Sequence, residues 1–257
     1  MINKHNYLFF LIISSIILFL FLFKFFYLDY NENFNSSILF LSKDETKNFI
    51  LKDEDNYIKN LSVYDLKARK VKTNDEYLFK ASNSSLEFSK EQKEKIIKCY
   101  NEANRFFKNN INCVFALVSD NYEEGFPHTR ANIIFLSPLI LNYIDSELTK
   151  TIIHENIHIY QRYNKSEIEK YLKDNNFKIS RLRRSVGLIR ANPDLDEFIY
   201  MNKEGKEMMA TYKNENPNGI GDITPISLLN EHPFEYMAYT VAEKYLQKIL
   251  SKYNNIK

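Results

Sequence analysis

Tryptophan is absent from this chain of 257 residues, cysteine occurs twice and glycine only five times. Two cysteines, Cys99 and Cys113, are too few for a disulfide scaffold; they allow either one short-loop disulfide or two buried thiols, and the sequence leaves both open. Scarce glycine goes with the lack of any G-x-G-x-x-G or G-x-x-x-x-G-K stretch, which argues against a glycine-rich phosphate cradle. An excess of one charge is missing as well. Thirty-five basic against thirty-three acidic residues leave a net charge of +2, so nucleic acid is not an expected partner. What the chain does have is 44% hydrophobic and 15% aromatic residues, enough for one well-buried domain with an appendage.

The appendage is at the start. Residues 7–23 carry no charge, and the apolar run resumes after Lys24 through Phe25-Phe26-Tyr27-Leu28. Lys24 can snorkel, giving a span of about twenty-two residues, long enough to cross a bilayer. A cleaved signal peptide would need a small-x-small site, and the bulky Phe23–Leu28 stretch has none. The expected layout is a tail over 1–6, an uncleaved signal anchor over 7–28 that contacts membrane lipid, a polar stalk over 29–45 and a folded domain over 46–257. The balance of Lys and Arg around the anchor favours a cytoplasmic N-terminus with the domain outside the cytoplasm. Sequons at Asn35, Asn60, Asn83 and Asn164 are compatible with that side.

The stretch with chemistry is His154-Glu155-Asn156-Ile157-His158, an H-E-x-x-H sequence. Ile153, Ile157 and Tyr160 recur at helical spacing, Asp145 or Ser146 is placed to cap the helix, and Glu147 suits its positive start. In a helix the two imidazoles lie four positions apart on one face, a spacing that suits one tetrahedral Zn²⁺. Glu155 is rotated roughly 100° from His154, where it can reach a water instead of the metal and act as general base. The competing reading is a solvated helix face carrying two His and a Glu.

Around the motif the pattern is mixed. Residues 46–89 give only short signals, with Asp65–Arg69 closing a small helix. Ser89-Lys90-Glu91-Gln92 is a capping box opening a helix to about Phe107. Cys113–Val118 reads as a buried strand, and Thr129–Ser137 as a second strand before the site helix, with an edge that an extended substrate can join. His128 and Arg130 at its start are candidates to stabilise an oxyanion. Glu167–Leu172 is a short helix, Arg181–Arg184 a solvated basic stretch, and Arg190–Asp194 a turn. Phe198–Met201 and Met208–Tyr212 form a hairpin. The last helix begins with Pro233 at its first position. A catalytic zinc needs a third protein ligand, and this helix supplies Glu231, His232 and Glu235; Glu235 ranks first, beside the small residues Ala238 and Ala242.

His154-Glu155-x-x-His158 followed by a helical Glu235-x-x-Ala238 resembles the gluzincin group of zinc metallopeptidases over roughly residues 125–250. The resemblance implies an α+β, zincin-like fold: an active-site helix, a small sheet whose edge receives peptide, and a C-terminal helix, here preceded by one transmembrane helix. It implies Zn²⁺ on His154, His158 and Glu235, Glu155 as general base, and a peptide or protein substrate. His128, His232, Tyr236 and Tyr239 are candidates to steady the transition state. Some members carry Asp where this chain has Tyr239, so a supporting carboxylate would come from elsewhere, with Asp194, Asp196 and Asp222 as options. The alternatives are a membrane-tethered zinc-binding protein without peptidase activity and a purely structural domain.

Overall fold

The structure is a computed structural model and describes residues 38–224 and 228–254. The expected tail, the anchor over 7–28 and the stalk up to residue 37 lie outside the described residues. Among the described residues no helix is long and apolar enough to cross a membrane.

Strand β1 (Leu39–Phe40) is followed by three short helices, α1 (Lys43–Lys52), α2 (Val63–Ala68) and α3 (Asn74–Ser82). The folded unit thus begins at Leu39 and not at 46, because the Leu39 and Leu41 amides hydrogen-bond to Cys113 and Phe115. Each of these helices starts at a hydroxyl cap, with full capping boxes at Ser42/Glu45 and Ser62/Asp65 and a Thr73 cap on Glu76. Helices of this length show little periodicity, and the caps define them better than their apolar positions do.

Strand β2 (Ser85–Leu86) leads to the long helix α4 (Lys90–Phe106), which starts in the Ser89/Gln92 capping box. Strand β3 (Val114–Val118) comes next, then β4 (His128–Arg130) and β5 (Ile133–Leu136). The single strand expected over 129–137 is therefore two strands folded back on each other. Ala131 turns the chain with a left-handed φ of 51°, and Arg130 pairs opposite Ile133. Ala-Asn is not a strong turn sequence, so only the tertiary hold on Arg130, by Asp53, Asp55 and Tyr122, marks the corner. The sheet order is β1-β3-β5-β4, with β2 also on β3. β3 is parallel to β1 and β5 and is buried throughout, as its unbroken apolar run requires.

Val114, Ala116, Val118, Ile133 and Phe135 pack with Ile50, Ile58 and Tyr77 of the early region. By strand alternation Phe115 takes the other face, where it meets Tyr100 of α4 edge-on at 5.8 Å. Helix α5 (Pro138–Leu141) follows, then α6 (Asp145–Tyr163) and α7 (Lys165–Asp174). A second sheet, β6 (Lys178–Leu182), β7 (Phe198–Met201) and β8 (Glu207–Met208), includes the expected hairpin, now as β7 and β8. The chain closes with α8 (Pro233–Asn254), which packs along α6; α4 flanks α6 as well. The architecture is mixed α+β, with helices around two small sheets. Cys99 and Cys113 are free, buried thiols, so the disulfide option does not apply.

Candidate metal centre

Helix α6 is held in place by Leu148, Ile152, Ile153, Ile157 and Ile159, all buried. Its N-cap is Ile144, without a side-chain cap. Neither Asp145 nor Ser146 caps it, since Asp145 is already inside the helix, where its carboxylate pairs with Lys98 at 2.6 Å. Farther along, His154 and His158 face each other with their Nε2 atoms 3.0 Å apart. Glu235, in the first turn of α8, brings Oε2 to 3.3 Å from His154 Nε2 and 3.7 Å from His158 Nε2. Ligands about 2.0–2.1 Å from a tetrahedral ion stand roughly 3.3 Å from one another, and the three observed separations bracket that value. The donor set therefore fits one zinc-sized dication.

The neighbours aim these donors. The orientation of the Gln161 amide is fixed by its Nε2, which donates to the Phe234 carbonyl at 3.0 Å. Its Oε1 then faces His158 Nδ1 at 2.9 Å and can only accept, so Nδ1 holds a proton and Nε2 is the nitrogen that can give up its own proton to a metal. Asn192 donates to Glu235 Oε1 at 2.9 Å, which leaves Oε2 for the cluster. Ala238 and Ala242 are buried and let α8 approach. Glu231 instead pairs with Arg190, and His232 is occupied by Asp196 and the Phe234 amide. Neither reaches the cluster.

Glu155 is buried and its Oε2 has no hydrogen-bond partner. Burial, reinforced by the nearby Asp194 carboxylate, pushes its pKa well above the ordinary carboxylate range. Burial works the same way on Glu235, but the imidazoles of His158 and His154 outweigh it and hold that carboxyl well below the ordinary range. For His158, burial opposes the charge, and Asp194 and Glu235 overcome it, raising the imidazole to about 9. Of the three carboxylates proposed as support, Asp194 alone stands at the site; Asp196 holds His232 and Tyr200, and Asp222 pairs with Lys213.

The edge of the first sheet does not offer what the sequence suggests. β5 is interior, and β4 forms the edge. The Thr129 amide donates to Asp194 at 2.7 Å, and its carbonyl accepts from Arg162 at 2.9 Å. Arg162 also donates to the Thr129 hydroxyl and to the Pro193 carbonyl. At Thr129 the main-chain groups that an added strand would use are taken.

Glu155, His154 and Glu235 open into a cleft of about 580 Å³. Of the four candidate transition-state residues, His128 and Tyr239 line it, and His232 and Tyr236 do not. Tyr236 turns its ring to Phe177 instead. His128 Nδ1 lies 2.9 Å from the Phe126 carbonyl and must donate to it. Burial disfavours its charged form, so Nε2 carries a lone pair and has no proton to offer an oxyanion. Arg130 is buried in its pairing with Asp53 and Asp55 and is likewise unsuited. Tyr239 packs its ring against His154 at 4.4 Å, and burial with the surrounding carboxylates keeps its phenol protonated.

Several site residues escaped the sequence reading. Gln161 sits three positions after His158 on the same helix, a spacing that could have shown it. Arg190 and Asn192 lie in what reads only as a turn. Arg183, in the basic stretch taken as solvated, is buried and donates to the Arg190 carbonyl. No protein-family model, no curated protein and no solved structure matches this chain.

Proposed function

We propose that this chain is a zinc-dependent peptidase of zincin-like fold, anchored in a membrane by residues 7–28, with its N-terminus in the cytoplasm and the folded domain outside. The observation that carries this reading is one cluster: three donors at tetrahedral spacing on two packed helices, beside a buried carboxylate oxygen without a partner. Zn²⁺ on His154 Nε2, His158 Nε2 and Glu235 Oε2 would supply Lewis-acid polarisation of the scissile carbonyl and acidify the attacking water.

The remaining work falls to the chain. Glu155 Oε2 accepts the proton of the attacking water and passes it to the leaving amine. Its buried Oε2, which has no hydrogen-bond partner, is free to take that proton. Tyr239, protonated and at the cleft wall, is the donor for the developing oxyanion. Gln161 and Asn192 keep His158 and Glu235 in their donating orientations.

Purified full-length protein is expected to hold about one zinc per chain. Glu155→Gln should keep that zinc and lose peptide hydrolysis. Protein that takes up no metal, or a Gln variant with undiminished turnover, sinks the reading. A zinc-binding protein without peptidase activity is the second reading, favoured by the occupied main-chain groups of Thr129 on the sheet edge. It predicts stoichiometric zinc with no cleavage across a broad peptide library.

A further inference from the structure

One wall of the cleft is formed by large apolar side chains that the fold leaves uncovered. Phe126, Leu139 and Tyr143 line it with exposures of 55%, 67% and 41%. Single exposed apolar residues are ordinary, but three on one wall of one cleft are not. The backbone that carries these three is anchored. Ile140 and Leu141 bury the inner side of α5, while Lys95 reaches across from α4 to donate to the Leu141 and Tyr143 carbonyls at 2.8 and 2.6 Å. Phe126 follows Gly125, whose φ of 74° suits glycine and whose carbonyl accepts from Ser137 Oγ at 2.8 Å. That bond ties the Phe126 loop to the start of α5.

The wall is continuous with the metal centre. Thr151, Lys150 and Glu147 carry the cleft from His154 toward the start of α6, and Glu147 lies roughly 10 Å upstream of His154 at about 1.5 Å per helical residue. Tyr143 and Leu139 lie beyond it. An extended peptide advances about 3.3 Å per residue, so a side chain about four or five residues from the scissile bond reaches the wall.

Building on the peptidase reading, we infer that Phe126, Leu139 and Tyr143 form a distal specificity site for a large apolar side chain of the substrate, about four or five residues from the bond that is cut. The occupant is a peptide residue because the wall opens into the same cleft as Glu155 and Glu235. A polar residue at that position would leave the three side chains facing water.

The test uses the zinc-loaded full chain and two peptides that differ only at that position, Leu in one and Asn in the other. The Leu peptide should be preferred by roughly tenfold or more in kcat/KM, and by a similar factor in affinity for the Glu155→Gln protein by calorimetry. In Leu139→Asn and Phe126→Asn variants the ratio should fall toward one; both positions are exposed, and retained zinc reports that the fold is intact. Cleavage of both peptides at equal rates overturns the distal site, as does a preference that survives substitution of all three residues. No cleavage by the wild type, with preferential binding of the Leu peptide to the Gln variant, removes the peptidase reading and leaves the distal site standing. Absence of both cleavage and binding overturns the two together.

Discussion

Gln161 Oε1 accepts the Nδ1 proton of His158 at 2.9 Å, and the Phe234 carbonyl fixes which way the Gln161 amide points. One residue thus couples the tautomer of His158 on α6 to the backbone at the start of the helix that brings Glu235. Gln161→Leu removes both bonds without adding charge. Zinc affinity, measured by competition with a chelator, should fall about 10–100-fold, the usual loss when the partner of a ligating histidine is removed. Unchanged affinity would mean that packing alone orients His158.

Glu235 and Glu231 are close in sequence and both buried, yet they do different work. Glu235→Ala takes one donor from the cluster and should strip the metal. Glu231→Ala leaves the three donors in place but abandons Arg190 without its carboxylate. That variant should keep zinc and lose folding stability, on the order of 3–5 kcal/mol, as when one member of a buried ion pair is removed. Metal content and chemical denaturation of the two variants, measured side by side, separate the roles; loss of zinc from the Glu231 variant would reverse the assignment.

The metal-free protein should carry a pH signature. His158 is raised to about 9 when folded, against about 6.5 for an ordinary histidine, so the folded state binds more protons across that window. Its contribution is complete below about pH 6.5 and is lost as pH rises toward 9. Glu155, raised by burial and Asp194, adds a decline of the same sign above the ordinary carboxylate range. Glu235 acts in the opposite direction: with its pKa held below the ordinary carboxylate range, its contribution is present above that range and is lost only in stronger acid. Thermal denaturation in chelator should therefore show Tm falling from neutral pH toward 9. With zinc bound, His158 Nε2 is no longer free to titrate, and its part of the fall should disappear. A flat metal-free profile would show that Asp194 and Glu235 do not hold His158 in its charged form.

The features legible in sequence are those set within a turn or two of chain. His154 and His158 share a face because any helix puts residues four apart together. Ser89 and Gln92 form their capping box from local backbone geometry, and Pro233 opens α8 because its missing amide costs nothing there. The misreadings share a different cause. Asp145 has the chemistry of a cap, but its carboxylate pairs with Lys98 across a packed interface. His232 and Tyr236 flank Glu235 in sequence, yet helical rotation and neighbouring elements turn them to Asp196 and Phe177.

By itself, the sequence determined the spacing of two imidazoles and a carboxylate on one helix and nominated Glu235 by its place among small residues. Only the tertiary structure decided that Glu235, and not Glu231, meets those imidazoles, that the sheet edge is occupied at Thr129, and that Asn192 and Asp194 belong to the site. The reason is one of range. Helical periodicity acts through bonds between neighbouring residues, while the distances among α6, α8 and the 190–194 turn are set by packing of segments far apart in the chain.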